Sequence, residues 1–380
     1  MPMHNGFLPR EGFKADTVIK IIRNTALNPK LLLPLLLLAR YTKKGQDLSI
    51  LHPTVYSRIK TLLFIGLARI LNNYFSNGVL NNWVKDKYDW SREIVVITGG
   101  AGGIGGQVVQ LFAEKGITVV ALDIQPLSFE AGPKVHYFKC DITSPQKVAA
   151  VGKEIRAKVG SPTILINNAG VVQGRTILDA TEKDVRFTFD VNHFAHYWTV
   201  QEFLPAMIKA NHGMVVTVAS VASWVTVPNM VDYAASKAAA YSFHEGLTAE
   251  LVTRYNAPKV RTVIVNQGYT QTALFTGYNN DSPFIMPALH PATVAEAIVK
   301  KVLTGTSGQL ILPAMGNTLA MLAAMPHWYQ YRLRAKNEKI MTEFKGRKVV
   351  EDLDQFYEEK EKGASGGVGE SAVLVSPKGE

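Results

Sequence analysis

The pattern of apolar and polar positions divides the chain near residue 93. Before it, two long apolar blocks stand among basic residues; after it, short β-branched apolar runs alternate with stretches of helical spacing. Short, fully apolar runs are typical of strands buried on both faces of a parallel sheet. We predict strands over residues 94–97, 118–122, 135–138, 163–166, 213–218, 260–265 and 309–312.

This alternation predicts an α/β fold, a doubly wound parallel sheet of about seven strands with helices on both faces and helical extensions at both termini. The composition predicts four regions: a basic and apolar extension over 1–90, the sheet domain over 91–312, an apolar then basic helical segment over 313–350, and an acidic then disordered tail over 351–380. The end of the tail has too few aromatic residues to form a core.

The two N-terminal apolar blocks cover residues 31–39, where Pro34 interrupts the run, and 62–71. Neither reaches the ~18–20 uninterrupted apolar residues of a spanning helix. A cleaved signal peptide fits poorly, because no small-residue cleavage site follows the first block. An interfacial or re-entrant membrane anchor fits better. Two alternatives stay open: these blocks are buried helices of the extension, or the anchor lies in residues 315–348.

Charge supports a membrane surface rather than nucleic acid as the partner. The chain of 380 residues has a net charge of +10, and most of its basic excess lies in residues 1–90, around the apolar blocks. A nucleic-acid binder would place its basic residues on a folded reading element. The single cysteine excludes an internal disulfide and a cysteine-based metal site, and it favours a reducing compartment.

The first predicted strand runs into the turn Thr98-Gly99-Gly100-Ala101-Gly102-Gly103-Ile104-Gly105, and a helical pattern follows. Glycine lets the chain turn tightly and approach a pyrophosphate, which the free amides of the helix N-terminus bind. The second strand ends in Asp123, about 20 residues after Gly103, where a carboxylate accepts both ribose hydroxyls and repels a 2′-phosphate. No Lys or Arg lies in the turn or at positions 124 and 125. We therefore expect NAD(H), with NADP(H) less favoured.

Tyr233-Ala234-Ala235-Ser236-Lys237 begins a segment rich in helix formers. Residues 233 and 237 share one helix face. A phenol has a pKa of ~10, so Tyr233 needs a nearby cation such as the Lys237 ammonium to act as a base near neutrality. Ser220, at the end of the predicted strand 213–218, can donate a hydrogen bond to a substrate oxygen. These three residues predict acid–base chemistry on an alcohol or a carbonyl.

These motifs, with Asn167-Asn168-Ala169-Gly170 after the fourth strand and Asn192, resemble the short-chain dehydrogenase/reductase superfamily over roughly residues 91–312. The resemblance implies a Rossmann-type sheet and a catalytic tetrad of Asn192, Ser220, Tyr233 and Lys237. In it Tyr233 is the general acid/base, Ser220 positions the oxygen, Lys237 lowers the Tyr233 pKa and binds the nicotinamide ribose, and Asn192 holds a relay water. The cofactor contacts that it implies are Gly99, Gly103, Ile104, Gly105, Asp123, Asp141, Asn168, Ala169, Gly170, Tyr233, Lys237, Gly268, Thr270 and Thr272.

One position departs from the family pattern. The family usually has Pro-Gly after the sixth strand, whereas this chain has Gln267-Gly268, followed by Thr270 and Thr272. The chain can still turn at Gly268. Nicotinamide contacts from the Thr270 backbone and the Thr272 side chain are therefore expected to remain.

Looser similarities lie in residues 191–199, in Tyr88-Asp89-Trp90, and between Pro326 and Arg347. They resemble the membrane-associated branch that includes retinol dehydrogenases and 17β-hydroxysteroid dehydrogenase type 11. This resemblance implies a lipophilic alcohol or its carbonyl as substrate, a homodimer, and a location on the cytosolic face of the endoplasmic reticulum or on a lipid droplet. Apolar residues expected near the substrate are Phe275, Phe284, Ile285, Met286 and those of 315–328.

One alternative function and one negative expectation about metals complete the sequence analysis of the site. A non-catalytic protein that binds nucleotide or lipid and acts as an interaction partner on a membrane surface is the alternative function, although the intact tetrad argues against it. His193 and His196 are expected to be structural, because no third metal-binding residue has a recognisable spacing. We therefore expect no metal.

Overall fold

The computed structural model describes residues 3–4, 6–280 and 282–346. The predicted acidic and disordered tail lies outside these residues, as does the end of the 313–350 segment. The strands are β1 (Ile94–Thr98), β2 (Thr118–Asp123), β3 (Val135–Lys139), β4 (Ile164–Asn167), β5 (Gly213–Val218), β6 (Val260–Gln267) and β7 (Gly308–Leu312). The seven predicted strands are confirmed, with boundaries that agree to within two residues.

All seven strands form one parallel sheet in the order β3-β2-β1-β4-β5-β6-β7. The central strand β1 pairs with β2 on one side and with β4 on the other, and its Val96 lies beside Val120 and Leu165. The chain therefore reverses its direction of winding between β1 and β4. Ligands of such sheets bind in the crevice outside the carboxyl ends of the strands at this reversal.

Helices cover both faces of the sheet, as predicted. Their bounds in the sheet domain are α5 (Gly103–Glu114), α6 (Pro145–Lys158), α7 (Glu182–Phe189), α8 (Ala195–Ala210), α9 (Val231–Thr253) and α10 (Pro291–Leu303). Alternate strand residues point to opposite faces. One face packs on α5 and α10 and includes Val95 and Ile97, and the other packs on α6, α8 and α9 and includes Val96.

The N-terminal extension contains α1 (Ala15–Asn24), α2 (Pro29–Tyr41), α3 (Lys43–Leu51) and α4 (Pro53–Leu80). The two apolar blocks lie in α2 and α4, and Pro34 is inside α2. Much of their apolar surface is exposed, with Phe64 73% accessible. Among the described residues, no one helix has both the length and the apolar composition to span a bilayer, although α1 and α2, bent by 42°, meet that criterion as a pair.

The extension is attached to the sheet domain at two places. Near its start, Arg10 pairs with Glu296 of α10 at 2.7 Å, and the Asp16 carboxylate accepts from the amide of Ala314 at 2.8 Å. Near its end, the buried Arg261 of β6 donates to the carbonyls of Asn81 at 3.0 Å and Val84 at 2.5 Å. The first attachment involves α10 and the chain just after β7, and the second lies at the start of β6.

After β7 the chain forms the short helix α11 (Asn317–Ala320) and then α12 (His327–Lys336). Residues 338–346, here called the C-terminal strap, return toward the sheet domain. The Ile340 carbonyl accepts from the Asn279 amide at 2.9 Å, and the Met341 side chain is buried. This segment therefore packs over the loop that follows β6.

Candidate active site

The glycine turn between β1 and α5 requires glycine at several positions. Gly99 and Gly103 have φ values of +68° and +56°, in the left-handed region that favours glycine. A Cβ on Gly99 would lie 2.9 Å from the Ala169 Cα, and one on Gly105 would overlap the Gly99 carbonyl. Helix α5 begins without a side-chain cap. Its first amides are therefore free to bind an anion such as a pyrophosphate, so the turn fits the dinucleotide that the sequence implied.

The end of β4 is bonded to this turn. The Thr98 hydroxyl accepts from the amides of Asn168 at 3.0 Å and Ala169 at 3.1 Å. The Asn168 side chain donates to the carbonyls of Thr98 at 3.0 Å and Gly99 at 3.2 Å. Two predicted cofactor residues thus fix the crevice between β1 and β4 through hydrogen bonds within the chain.

Asp123 lies at the end of β2, beside the turn. Its carboxylate accepts from the backbone amides of Ala101 at 2.9 Å and Gln125 at 3.0 Å. These bonds hold the Asp123 carboxylate beside the glycine turn, at the carboxyl end of β2. Asp141 follows β3 and accepts from the Thr143 amide and hydroxyl at 3.1 and 2.7 Å. The Ile104 side chain is half-buried and packs against the core.

Asn192 lies where the helical path from α7 to α8 widens into a π-helical turn, Asp190–Phe194. Its buried side chain accepts from the Val171 amide at 2.8 Å and donates to the Val171 carbonyl at 2.9 Å. It also donates to the Ser236 hydroxyl at 2.9 Å. Asn192 therefore connects the segment after β4 to the helix that carries Tyr233 and Lys237.

Tyr233 and Lys237 lie on the first turns of α9, and both are buried. The Lys237 Nζ lies 5.8 Å from the centre of the Tyr233 ring and donates to the Val218 carbonyl, at the end of β5, at 2.9 Å. A Cβ on Gly170 would lie 3.5 Å from Nζ. The cation therefore lies between the phenol and the predicted cofactor residues after β4.

Burial controls the ionisation of both groups. It raises the pKa of Tyr233 to about 12, while a hydrogen bond with Ser220 acts in the opposite direction. It also lowers the pKa of Lys237 to about 8. The Ser220 hydroxyl donates to the Gln267 carbonyl at 3.2 Å. The phenol is thus a proton donor at neutral pH, and its anion requires more positive charge than the protein alone supplies.

The departure from the family pattern changes the end of β6. Because Gln267 can join a ladder as proline cannot, β6 continues through it and pairs with Leu312, two residues beyond the predicted strand. The Gly268 amide then donates to the Leu312 carbonyl at 2.6 Å. The Thr270 carbonyl accepts from the Thr272 amide at 2.8 Å, and the Thr272 Cγ2 would be 4.0 Å from a Cβ on Gly103. Thr272 thus faces the glycine turn.

Aromatic rings surround the phenol on its other side. Phe275 packs edge-on against Tyr233 with centroids 5.6 Å apart, and Tyr269 stacks on Tyr278 at 3.9 Å. Phe344 of the C-terminal strap packs near Phe275, with the two ring centroids 6.4 Å apart. The sequence predicted Phe275 here but not the other three. Phe284 and Ile285 are each 47% exposed, and the Phe284 ring lies 6.4 Å from Phe13 of the N-terminal extension.

The two histidines near the site are held among aromatic rings. His193 packs on Tyr197 at 5.4 Å, and His196 lies 5.9 Å from Phe243. Burial lowers the pKa of His196 to about 3, so it is neutral at physiological pH. In the part of the chain that the structure describes, no group of three or more His, Cys, Asp or Glu residues could hold a metal ion.

Comparison with known proteins places this constellation in a family. A family model described as short chain dehydrogenase matches residues 93–283. The chain belongs to the short-chain dehydrogenase family. The predicted family and the Rossmann-type sheet are therefore confirmed, and the chain has the fold of an oxidoreductase family.

Relatives of this short-chain dehydrogenase support the predicted branch. Dehydrogenase RED2 of Cochliobolus heterostrophus is 50% identical over 208 residues, covering 54% of this chain and 78% of its own. Human epidermal retinol dehydrogenase 2 is 31% identical over 309 residues, covering 79% and 96%. Estradiol 17-beta-dehydrogenase 11 of Pongo abelii is 36% identical over 220 residues, covering 56% and 72%.

Solved structures agree with the fold. A short chain dehydrogenase from Burkholderia cenocepacia, in complex with NADP, superposes with a TM-score of 0.55 and 28% identity, covering 63% of this chain and 96% of that chain. The family thus implies a nicotinamide dinucleotide as the cofactor.

Proposed function

We propose that this short-chain dehydrogenase interconverts a lipophilic alcohol and its carbonyl, with NAD(H) as cofactor and Tyr233 as general acid/base. The observation that carries the proposal is the position of Tyr233. Its buried phenol lies between the Lys237 ammonium, which adjoins the residues after β4, and an apolar wall that includes Phe275. A dinucleotide therefore fits on one side of the phenol and an apolar substrate on the other.

Each residue has a separate role in this reaction. Tyr233 gives its proton to the carbonyl oxygen in reduction and takes it from the hydroxyl in oxidation. Ser220 donates to the same oxygen, and Lys237 stabilises the phenolate. Asn192 keeps α9 in register with the chain after β4 through Ser236 and Val171. A nicotinamide dinucleotide held by the glycine turn and the residues after β4 would supply or accept the hydride.

The charges around Asp123 and the glycine turn favour NAD(H) over NADP(H). Asp123 lies beside the turn, where a 2′-phosphate would meet its negative charge. The turn and the two residues after Asp123 have no Lys or Arg that could bind such a phosphate. NADP(H) is therefore the less favoured cofactor.

The aromatic side chains beside the phenol and the names of the relatives support a lipophilic substrate. Phe275, Tyr269 and Tyr278 form apolar surface beside the phenol. The names of the relatives refer to retinol and estradiol. We propose a retinoid, a steroid or a long-chain alcohol, because each presents one hydroxyl on a large apolar body.

The N-terminal extension is proposed to hold the enzyme on a lipid surface. Exposed apolar side chains on α2 include Leu31, Leu33, Leu35, Leu37 and Leu38, and those on α4 include Phe64, Ile65, Leu67, Ile70 and Leu71. Basic residues surround them and favour an anionic membrane face. We propose the cytosolic face of the endoplasmic reticulum or a lipid droplet as the location.

We also propose that the protein forms a homodimer, in which the exposed side chains of Phe194 and Tyr197, beside the sheet, lie in the interface.

Turnover of the full-length chain tests the function. With retinol, estradiol or 1-dodecanol and NAD⁺, the protein should form NADH, and NADP⁺ should support slower turnover. Tyr233→Phe keeps the ring and its packing but removes the proton, so we expect turnover to fall by at least about 100-fold. Tyr255→Phe removes a hydroxyl far from the site, whose partner is Glu250, and should leave turnover unchanged. Full activity of Tyr233→Phe would contradict the mechanism, and NAD(H) binding without any turnover would favour the non-catalytic alternative.

A further inference from the structure

The C-terminal strap is fixed to the loop after β6 by backbone hydrogen bonds. The amides of Lys345 and Gly346 both donate to the Thr276 carbonyl, at 2.9 and 3.2 Å. The Asn279 amide donates to the Ile340 carbonyl at 2.9 Å. These bonds do not depend on side-chain identity, so they fix the path of the strap and leave its side chains to determine what it contacts.

Glycines allow the strap to approach this closely. Gly277, with φ of +86°, lies where a Cβ would be 3.0 Å from the Lys345 amide nitrogen. The Phe344 ring lies between Gly174, with φ of +73°, and Gly346, with φ of +39°. A Cβ on Gly174 would be 2.7 Å from the Phe344 Cε1, and one on Gly346 would be 2.5 Å from its Cζ. The ring thus occupies a slot that only glycines leave open.

The Phe344 ring lies close to the Tyr233 phenol, which is the proposed proton donor. The ring centroids of Phe344 and Phe275 are 6.4 Å apart and their planes are inclined by 65°. The ring centroids of Phe275 and Tyr233 are 5.6 Å apart, with the planes at 88°. Met341 of the strap is buried in the same cluster as Tyr233. One aromatic ring therefore separates Phe344 from the phenol.

We propose that Phe344 is a specificity-determining residue, and that the C-terminal strap is the wall of the substrate site that limits the width of the alcohol reaching Tyr233. The proposal rests on the proposed function and adds a residue that no sequence motif indicated. A benzyl side chain is rigid, and the close approach of Gly174 and Gly346 leaves the ring little room to turn aside. A straight alkyl chain can pass such a ring, whereas fused rings collide with it.

A merely structural role for Phe344 makes a different prediction. If the ring only stabilised the fold, its loss would lower the turnover of every substrate by a similar factor. If it limits width, its loss changes the ratio between wide and narrow substrates. The measured quantity is therefore the ratio of kcat/KM for estradiol, which has four fused rings, to kcat/KM for 1-dodecanol, which is linear.

The experiment compares the full-length wild type with Phe344→Ala, Phe344→Trp and Tyr331→Ala. We expect Phe344→Ala to raise the estradiol to dodecanol ratio by about tenfold or more and Phe344→Trp to lower it, because differences of one or a few methylenes already discriminate by this factor. Tyr331 lies on α12 and is 74% exposed, so Tyr331→Ala should leave the ratio unchanged. A ratio that stays within about twofold of the wild type in both Phe344 variants would overturn the proposal.

Equilibrium dialysis of the same two alcohols separates this proposal from the proposed function. If the wild type turned over no alcohol with either cofactor, the proposed function would fail, yet the ratio of the two dissociation constants would still test the wall. Phe344→Ala should shift that ratio toward estradiol. An unchanged ratio would show that Phe344 does not line the site. Phe344→Leu, which keeps an apolar side chain in the slot, replaces Phe344→Ala if that variant does not fold.

Discussion

At the scale of one residue, the buried Lys237 ammonium lowers the stability of the fold but places a cation beside the Tyr233 phenol. Its ammonium is buried and donates to a carbonyl oxygen rather than to a carboxylate. Burial therefore lowers its pKa to about 8, from an ordinary value of 10.5. This difference in pKa lowers the free energy of unfolding by roughly 3 kcal/mol at neutral pH. A cation held at this cost is available to stabilise a phenolate, whereas a cation paired with a carboxylate would be partly neutralised.

The sign of this effect gives a pH-dependent prediction. Between the folded pKa of about 8 and the unfolded value of 10.5, the unfolded chain binds more protons, so the free energy of unfolding should rise with pH. Lys237→Met has no such group. The free energy of unfolding of the wild type minus that of Lys237→Met should therefore increase over this range and stay flat below pH 7. Chemical denaturation of the cofactor-free protein across pH measures it, and a flat difference throughout would contradict the burial argument.

At the scale of elements, strands and turns were predictable because their signals are local. The apolar runs marked every strand, and the glycines of the turn marked the start of α5. Apart from Phe275, the aromatic wall was not predictable, because it depends on contacts between distant parts of the chain, as between Phe344 and Phe275. In the strap, the only signal was the presence of three apolar residues within a basic run, Ile340, Met341 and Phe344. The extension of β6 through Gln267 followed from one replaced proline.

The glycine turn provides a prediction at this scale. A Cβ at residue 105 would overlap the Gly99 carbonyl, so Gly105→Ala should shift the turn away from the helix N-terminus. We expect it to lower the free energy of unfolding by about 1–3 kcal/mol and to weaken NAD(H) binding. Gly132→Ala is the matched control, because nothing lies within 4 Å of its added Cβ. Calorimetric unfolding and cofactor titration measure both effects, and equal behaviour of the two variants would disprove the overlap.

At the scale of the whole molecule, α2 and α4 expose many apolar side chains to solvent. Monomeric soluble proteins rarely expose contiguous apolar patches larger than a few hundred Å². Phe64→Lys places a charge at a site that is 73% exposed, so the fold should be unaffected. Because a buried cation is costly at a lipid surface, we expect binding to anionic vesicles to fall by about tenfold or more. Val252→Lys, at a 41% exposed position on α9, is the control, and equal flotation of both variants with vesicles would remove α4 from the anchor.

The double attachment of the N-terminal extension has a mechanical consequence. Asp16 joins it to the chain beyond the carboxyl end of β7, and Arg261 joins it to the amino end of β6. A body fastened at opposite ends cannot pivot about one hinge. If α2 to α4 rest on a lipid monolayer, the catalytic crevice keeps a constant tilt above it. Molecules leaving that layer would then always meet the opening from the same direction.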